Sequence, residues 1–62
     1  MNDIQAKIIE LMREDPRISS NKIAQKIGIA RRNVETHIKA LKDGGHIERE
    51  GASFGGHWIV KS

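Results

Sequence analysis

The sequence predicts a small α+β fold, with three helices followed by a two-stranded β-hairpin. Two observations predict it. Apolar residues recur at spacings of three and four as far as Leu41, which is the period of a helix. Beyond Gly44-Gly45 the period changes to the alternation of strands. The 62 residues are predicted to form a single domain over positions 1–62, which at this length buries only roughly 60% of its unfolded surface.

A first helix is predicted over residues 3–14. Its apolar stripe consists of Ile4, Ile8, Ile9, Leu11 and Met12. Asn2 or Asp3 can cap its start, and Pro16 ends the segment because the residue before a proline is pushed out of the helical region. A short extended piece follows, with Ile18 pointing inward, where a third strand could join the hairpin.

A second helix is predicted over residues 20–27 and a third over residues 31–43. Ser19 can accept a hydrogen bond from the first amides of the second helix. Gly28 can adopt the left-handed conformation that ends this helix abruptly. A helix, a tight glycine turn and a further helix form the layout of a helix-turn-helix.

The C-terminal residues are predicted to form a hairpin, with strands over 46–50 and 57–60 joined by a glycine-rich loop. Trp58 is expected to close the core over Ile47, and the alternative is a stacking platform for a nucleic-acid base. Phe54 in the loop can fold back, contact a partner or wedge into a minor groove. The residues predicted to be buried together are Ile8, Leu11, Ile23, Ile27, Val34, Ile38, Leu41, Ile47 and Trp58.

Positive charge is concentrated in the helix-turn-helix. Residues 17–42 hold seven basic side chains against Glu35 alone, a local net charge of +6, whereas residues 1–16 carry −2 and residues 43–62 carry −1. A basic block that coincides with one motif favours a polyanion as partner. The alternative is a solvated surface.

The predicted nucleic-acid contacts lie mainly on the outward face of the third helix. Arg31 and Arg32 can pair with the two acceptors of guanine, and Asn33 and Thr36 can contact adenine or phosphate. Lysines are assigned to phosphates because a flexible ammonium acts as a point charge. The complete predicted DNA-binding set is Lys22, Lys26, Arg31, Arg32, Asn33, Thr36, His37 and Lys39. The plain alternatives are local capping for Asn33 and solvation for the others.

Several functions find no support in the sequence. There is no cysteine, hence no disulfide or thiolate metal site, and His37, His46 and His57 have no close ligand spacing. We therefore expect no metal and no cofactor, with His46 and His57 on the solvent side of the hairpin. No nucleophile with a base at useful spacing suggests an enzyme. No apolar run approaches the roughly 20 residues of a membrane span, and no signal peptide is evident, so a cytoplasmic protein is expected.

One set of apolar, glycine and polar positions extends over most of the chain and consists of Ile18, Ser19, Ile23, Ala24, Ile27, Gly28, Ile29, Val34, Ile38, Leu41, Gly45, Ile47 and Arg49. This pattern resembles the winged helix-turn-helix domains of prokaryotic transcription regulators. The ending Gly55–Val60 resembles the C-terminal winged helices of helicase-related ATP-binding regulators and of Fic-type proteins. The resemblance implies sequence-dependent binding of double-stranded DNA by the third helix in the major groove, in transcription regulation.

The chain departs from the family pattern at three places. Ala30 stands where members usually have a capping Ser or Thr, at a cost of about 1 kcal/mol. Thr36 stands where many have a basic residue, and the loop of the hairpin contains no Lys or Arg. A monomer should bind DNA weakly, with a non-specific Kd of roughly 10⁻⁴–10⁻⁶ M, so specific affinity implies a homodimer or a fused N-terminal domain. The runner-up interpretation is a protein-protein interaction module attached to a larger protein, which the acidic hairpin also favours.

Overall fold

The computed structural model describes residues 2–51 and 56–61. Its elements in chain order are α1 (Asp3–Glu14), α2 (Ser20–Ile27), α3 (Arg31–Asp43), β1 (Ile47–Glu50) and β2 (His57–Val60). The predicted α+β fold and the boundaries of all three helices are confirmed. β1 begins one residue later than predicted, although the His46 carbonyl still accepts a hydrogen bond from the Lys61 amide. The predictions for residues 52–55, including those for Phe54, lie outside the described residues.

Local side-chain chemistry sets the helix ends. The side chain of Asn2 accepts a hydrogen bond from the Gln5 amide at 2.8 Å, and Ser19 Oγ accepts one from the Lys22 amide at 3.1 Å. Gly28 has a φ of 86° and ends α2 in the left-handed conformation. Ala30 begins α3 without a side-chain cap, as its methyl group requires.

The end of α3 directs the chain into the hairpin. The Gly45 amide donates to the Lys42 carbonyl and the His46 amide donates to the Leu41 carbonyl, the pair of bonds that closes a helix over a left-handed residue. Gly45 supplies that residue, with a φ of 76°. β1 and β2 then pair antiparallel, with Arg49 directly opposite Trp58.

Trp58 ties the hairpin to the connection between α1 and α2. Its backbone amide donates to the Pro16 carbonyl at 2.6 Å, and its indole Nε1 donates to the Ile18 carbonyl at 2.9 Å. The third strand predicted at Ile18 is wrong, because the sheet of the described chain has two strands. The Ile18 amide turns back to the Asp15 carbonyl, so this segment is a turn and forms no ladder with β2.

The core draws on every element. Its buried residues are Ile8, Ile9, Met12, Ile18, Ile23, Ala24, Val34, Ile38, Leu41, Ile47 and Trp58. The interior position of Trp58 is confirmed, at 8% exposure, and this excludes an open stacking platform. Leu11 and Ile27 were predicted to be buried, which is wrong: both are only partly buried, because they line a hollow between α1 and α2 that opens to solvent.

The histidines of the hairpin region are less exposed than predicted. His46 and His57 are both half-buried. The His46 ring lies so close to Gly44 that a Cβ added there would meet it at 3.0 Å. The placement of His46 is therefore part of the packing at the end of α3.

Candidate nucleic-acid interface

The outer face of α3 carries Arg32, Thr36 and Lys39 at spacings of four and three, all of them exposed. This stripe lies opposite the buried stripe of α3 because residues three and four apart share a helix face. Thr36 Oγ1 donates to the Arg32 carbonyl at 3.1 Å, so the hydroxyl oxygen keeps its acceptor capacity. Within the described part of the chain, the Arg32 guanidinium forms no ion pair. A cationic group is therefore presented on this face without an internal partner.

Arg31 lies on the side of α3 that faces the hairpin. Its Nε is 3.3 Å from Glu35 Oε1, and the two side chains are 58% and 53% exposed. An exposed pair one helical turn apart contributes only about 0–1 kcal/mol, so it adds little to the stability of α3. Both residues line an open hollow of about 550 Å³, whose other lining residues are Ser19, Ser20, Asn21, Arg49, Gly51 and Trp58.

Arg49 brings a second guanidinium to this hollow from β1. Its Cζ lies 4.7 Å from the centre of the Trp58 ring, a distance at which a cation is attracted by the aromatic face. The stacking orients a side chain that would otherwise be flexible. The predicted DNA-binding set omits Arg49. The alternation of the strand was an available signal, since it places Arg49 on the same inward face as Ile47.

The opposite side of α3 faces α1. Asn33 is exposed there, and its side chain forms no hydrogen bond among the described residues. His37 is half-buried, and its Nδ1 lies 3.2 Å from Gln5 Nε2 of α1. His37 thus contacts α1, whereas Asn33 presents its amide to solvent.

The lysines of α2 and α3 are distributed over different surfaces. Lys39 Nζ lies 3.5 Å from Asp43 Oδ2 at the end of α3, with side chains 80% and 70% exposed. Lys22 and Lys26 are exposed on α2. Lys26 lines the hollow between α1 and α2 together with Lys7, so it lies apart from the arginines of α3.

The described residues contain no group of three or more His, Asp or Glu side chains placed to hold a metal ion. No helix in the same part of the chain is long and apolar enough to cross a membrane.

The described chain consists of three helices, a tight glycine turn and a C-terminal hairpin, and its third helix carries exposed basic residues. This arrangement defines the class of winged helix-turn-helix DNA-binding domains. A family model with the description winged helix-turn-helix DNA-binding matches residues 1–48. The chain therefore belongs to this family, and double-stranded DNA is the partner that the membership supports. Comparisons with curated proteins and with solved structures returned no match. The matched range ends at Glu48, so the ending Gly55–Val60, which carries the narrower resemblance, lies outside it.

Proposed function

We propose that residues 1–62 act as one domain that binds double-stranded DNA in a sequence-dependent way, in transcription regulation, with α3 in the major groove. The observation that carries the proposal is the outer face of α3, where Arg32 is exposed and unpaired among the described residues beside Thr36 and Lys39. A helix that buries one stripe and exposes such side chains suits a groove that admits one helix.

The proposed contacts divide between bases and phosphates. Arg31 and Arg32 reach guanine edges from the first turn of α3, and Asn33 and Thr36 contact adenine or phosphate. Phosphate contacts come from Lys39 and from Lys22, with His37 and Lys26 at the edges of the surface. Arg49 adds a phosphate contact from β1, which compensates for a hairpin loop that has no basic residue.

The test is fluorescence anisotropy on a labelled random-sequence duplex over a series of salt concentrations. Affinity should fall steeply with salt, with a logarithmic slope of roughly −0.9 for each phosphate contact. Replacing Arg31 and Arg32 with Ala should weaken binding. The slope of log affinity against log salt concentration should become less steep by an amount that reflects how many phosphates these residues contact. The circular dichroism spectrum should remain that of the folded domain because both side chains are exposed.

Lys7→Ala is the control for the loss of a positive charge. Lys7 is exposed on α1 and is not among the proposed DNA contacts, so its replacement should change affinity little. Absence of binding at low salt, or equal losses from the Lys7 and the Arg31/Arg32 changes, would reject α3 as the DNA-contacting helix.

A second candidate function is a protein-protein interaction module. The observation that favours it is the apolar surface of Leu11 and Ile27, which are only partly buried and are framed by Lys7, Glu10 and Lys26. A homodimer partner or a fused N-terminal domain could cover this surface. Sedimentation of the chain with and without duplex distinguishes the two functions. A chain that self-associates but does not bind duplex is consistent only with the protein-protein interaction module.

A further inference from the structure

Glu35 is an acidic side chain on the part of α3 that the proposed function turns toward DNA. Its side chain is 53% exposed, and it lines two hollows that flank α3, one shared with Arg49 and the other with Lys42. A carboxylate that approaches a duplex is repelled by the phosphates and loses hydration unless a donor meets it. If α3 lies against DNA, Glu35 therefore needs a hydrogen-bond donor on the DNA.

Stabilisation of α3 is a weak explanation for Glu35, because exposed pairs one turn apart contribute little. The contact with Arg31 uses Nε, and a guanidinium has further N–H donors that can act at the same time. Arg31 can therefore bind a duplex while it still holds the Glu35 carboxylate in place. The pair presents donors and acceptors side by side to the same groove.

An ionised carboxylate only accepts hydrogen bonds, and this limits what it can read. The donors in the major groove are the N4 amino group of cytosine and the N6 amino group of adenine. The adenine amino group lies between two acceptors, its own N7 and the O4 of the paired thymine, which repel a carboxylate, whereas the cytosine amino group has an acceptor on one side only, the O6 of the paired guanine.

We propose that Glu35 is a specificity-determining residue whose carboxylate accepts a hydrogen bond from the N4 amino group of a cytosine in the major groove. The inference rests on the proposed function, since it requires α3 to lie in that groove. Arg31, held beside Glu35, is then placed to contact a neighbouring guanine.

Asp43 provides a matched control on the same helix. It is also acidic, exposed and paired with a basic residue one turn away, Lys39. However, Asp43 is the last residue of α3, whereas recognition helices contact base edges with their N-terminal residues. Asp43 should repel phosphates without reading a base.

The experiment compares the wild-type chain, Glu35→Gln and Asp43→Asn, each selected against a pool of random duplexes and then titrated against single-base variants of its enriched sequence. The wild type should enrich cytosine at one position, and replacing that cytosine should weaken binding at least about fivefold, the lower range for one mismatched base pair in a specific site. Glu35→Gln should change the preference there to adenine, because glutamine pairs with N6 and N7 of adenine. Asp43→Asn should keep the cytosine and bind all duplexes more tightly.

The outcomes separate the two proposals. Wild-type chain that binds no duplex at low salt overturns the proposed function together with this inference. Wild-type chain that binds duplex without a cytosine preference, or Glu35→Gln that keeps the wild-type preference, overturns the role of Glu35 and leaves DNA binding in place. Circular dichroism of both variants checks that the fold is unchanged, as expected for replacements of exposed side chains.

Discussion

At the scale of single residues, Trp58 of β2 contacts both the α1–α2 connection and β1. Its indole and backbone N–H groups bind the carbonyls of Ile18 and Pro16, and its ring face receives the Arg49 guanidinium. The same side chain therefore holds the α1–α2 connection against the hairpin and orients a cation at the edge of the proposed DNA surface. Trp58 therefore contributes to the core and also determines where Arg49 lies.

Replacing Arg49 with Gln should reduce the salt slope of duplex binding by about one, because one phosphate contact is lost. The chain has one tryptophan and no tyrosine, so its intrinsic fluorescence reports on Trp58. Duplex should change the emission of the wild type as the guanidinium shifts toward a phosphate, and this change should be absent in Arg49→Gln. Arg49→Lys should keep the charge but lose the planar stacking.

Lys7→Gln is the matched control, since it removes one positive charge from α1. Equal reductions in affinity and slope for Lys7→Gln and Arg49→Gln would show that only net charge matters. Arg49 would then have no defined contact with DNA.

At the scale of the elements, α2 and α3 begin differently. Ser19 caps α2 with its hydroxyl, whereas α3 begins at Ala30, which has no side chain able to cap, although its backbone has the extended conformation of a capping residue. Among the described residues, the first amides of α3 therefore have no side-chain acceptor. The helix that carries the proposed contacts therefore begins without the kind of side-chain cap that α2 has.

Ala30→Ser should stabilise the domain by about 1 kcal/mol, and Ser19→Ala should destabilise it by a similar amount. For a domain of this size, 1 kcal/mol corresponds to a change in Tm of roughly 4–8 °C. Thermal unfolding followed by circular dichroism measures both. If Ala30→Ser melted like the wild type while Ser19→Ala were destabilised, the first backbone amides of α3 would already have other hydrogen-bond acceptors.

The helices could be predicted from the sequence because their determinants are local. Asn2, Ser19 and Gly28 each act on amides or dihedral angles within a few residues, so these boundaries follow from the chain itself. The partial burial of Leu11 and Ile27 could not be predicted in this way. Helical periodicity shows which face turns inward, but it does not show where a neighbouring element stops covering that face.

The candidate site was less predictable than the helices, because some of its contacts join residues that are far apart in the chain. The exposed positions of Arg31, Arg32 and Thr36 follow from the buried stripe of α3. The contact between His37 and Gln5 joins residues 32 positions apart, and the stacking of Arg49 depends on the register between β1 and β2. Such contacts between elements leave only weak signals in a single sequence.

At the scale of the whole molecule, the core is small and shared by all elements. The molecule measures 26 × 22 × 19 Å, so its longest dimension spans about eight base pairs at 3.4 Å per step. Domains below about 70–80 residues rarely draw more than 3–5 kcal/mol from a single core. Any loss of packing under α3 should therefore affect both folding and the surface that α3 presents.

Ile38→Ala tests this coupling. Ile38 is 6% exposed on the inner face of α3, and truncating such a residue costs about 2–5 kcal/mol, enough to unfold much of the population at 25 °C. In the proposed function, duplex binds only the folded state. Adding duplex at 100 times its Kd should therefore raise the free energy of unfolding of Ile38→Ala by about 2.7 kcal/mol. The helical signal in circular dichroism and the Tm should then rise with duplex concentration.

The control is the triple variant Ile38→Ala, Arg31→Ala, Arg32→Ala, in which the core defect is the same but the proposed contacts are lost. Its Tm should stay low when the same duplex is added, since a ligand stabilises a fold only through its affinity for that fold. If duplex raised the Tm of the triple variant as much as that of Ile38→Ala, its binding would not depend on the first turn of α3. If Ile38→Ala itself melted like the wild type, the inner face assigned to α3 would be wrong, and the outer face with it.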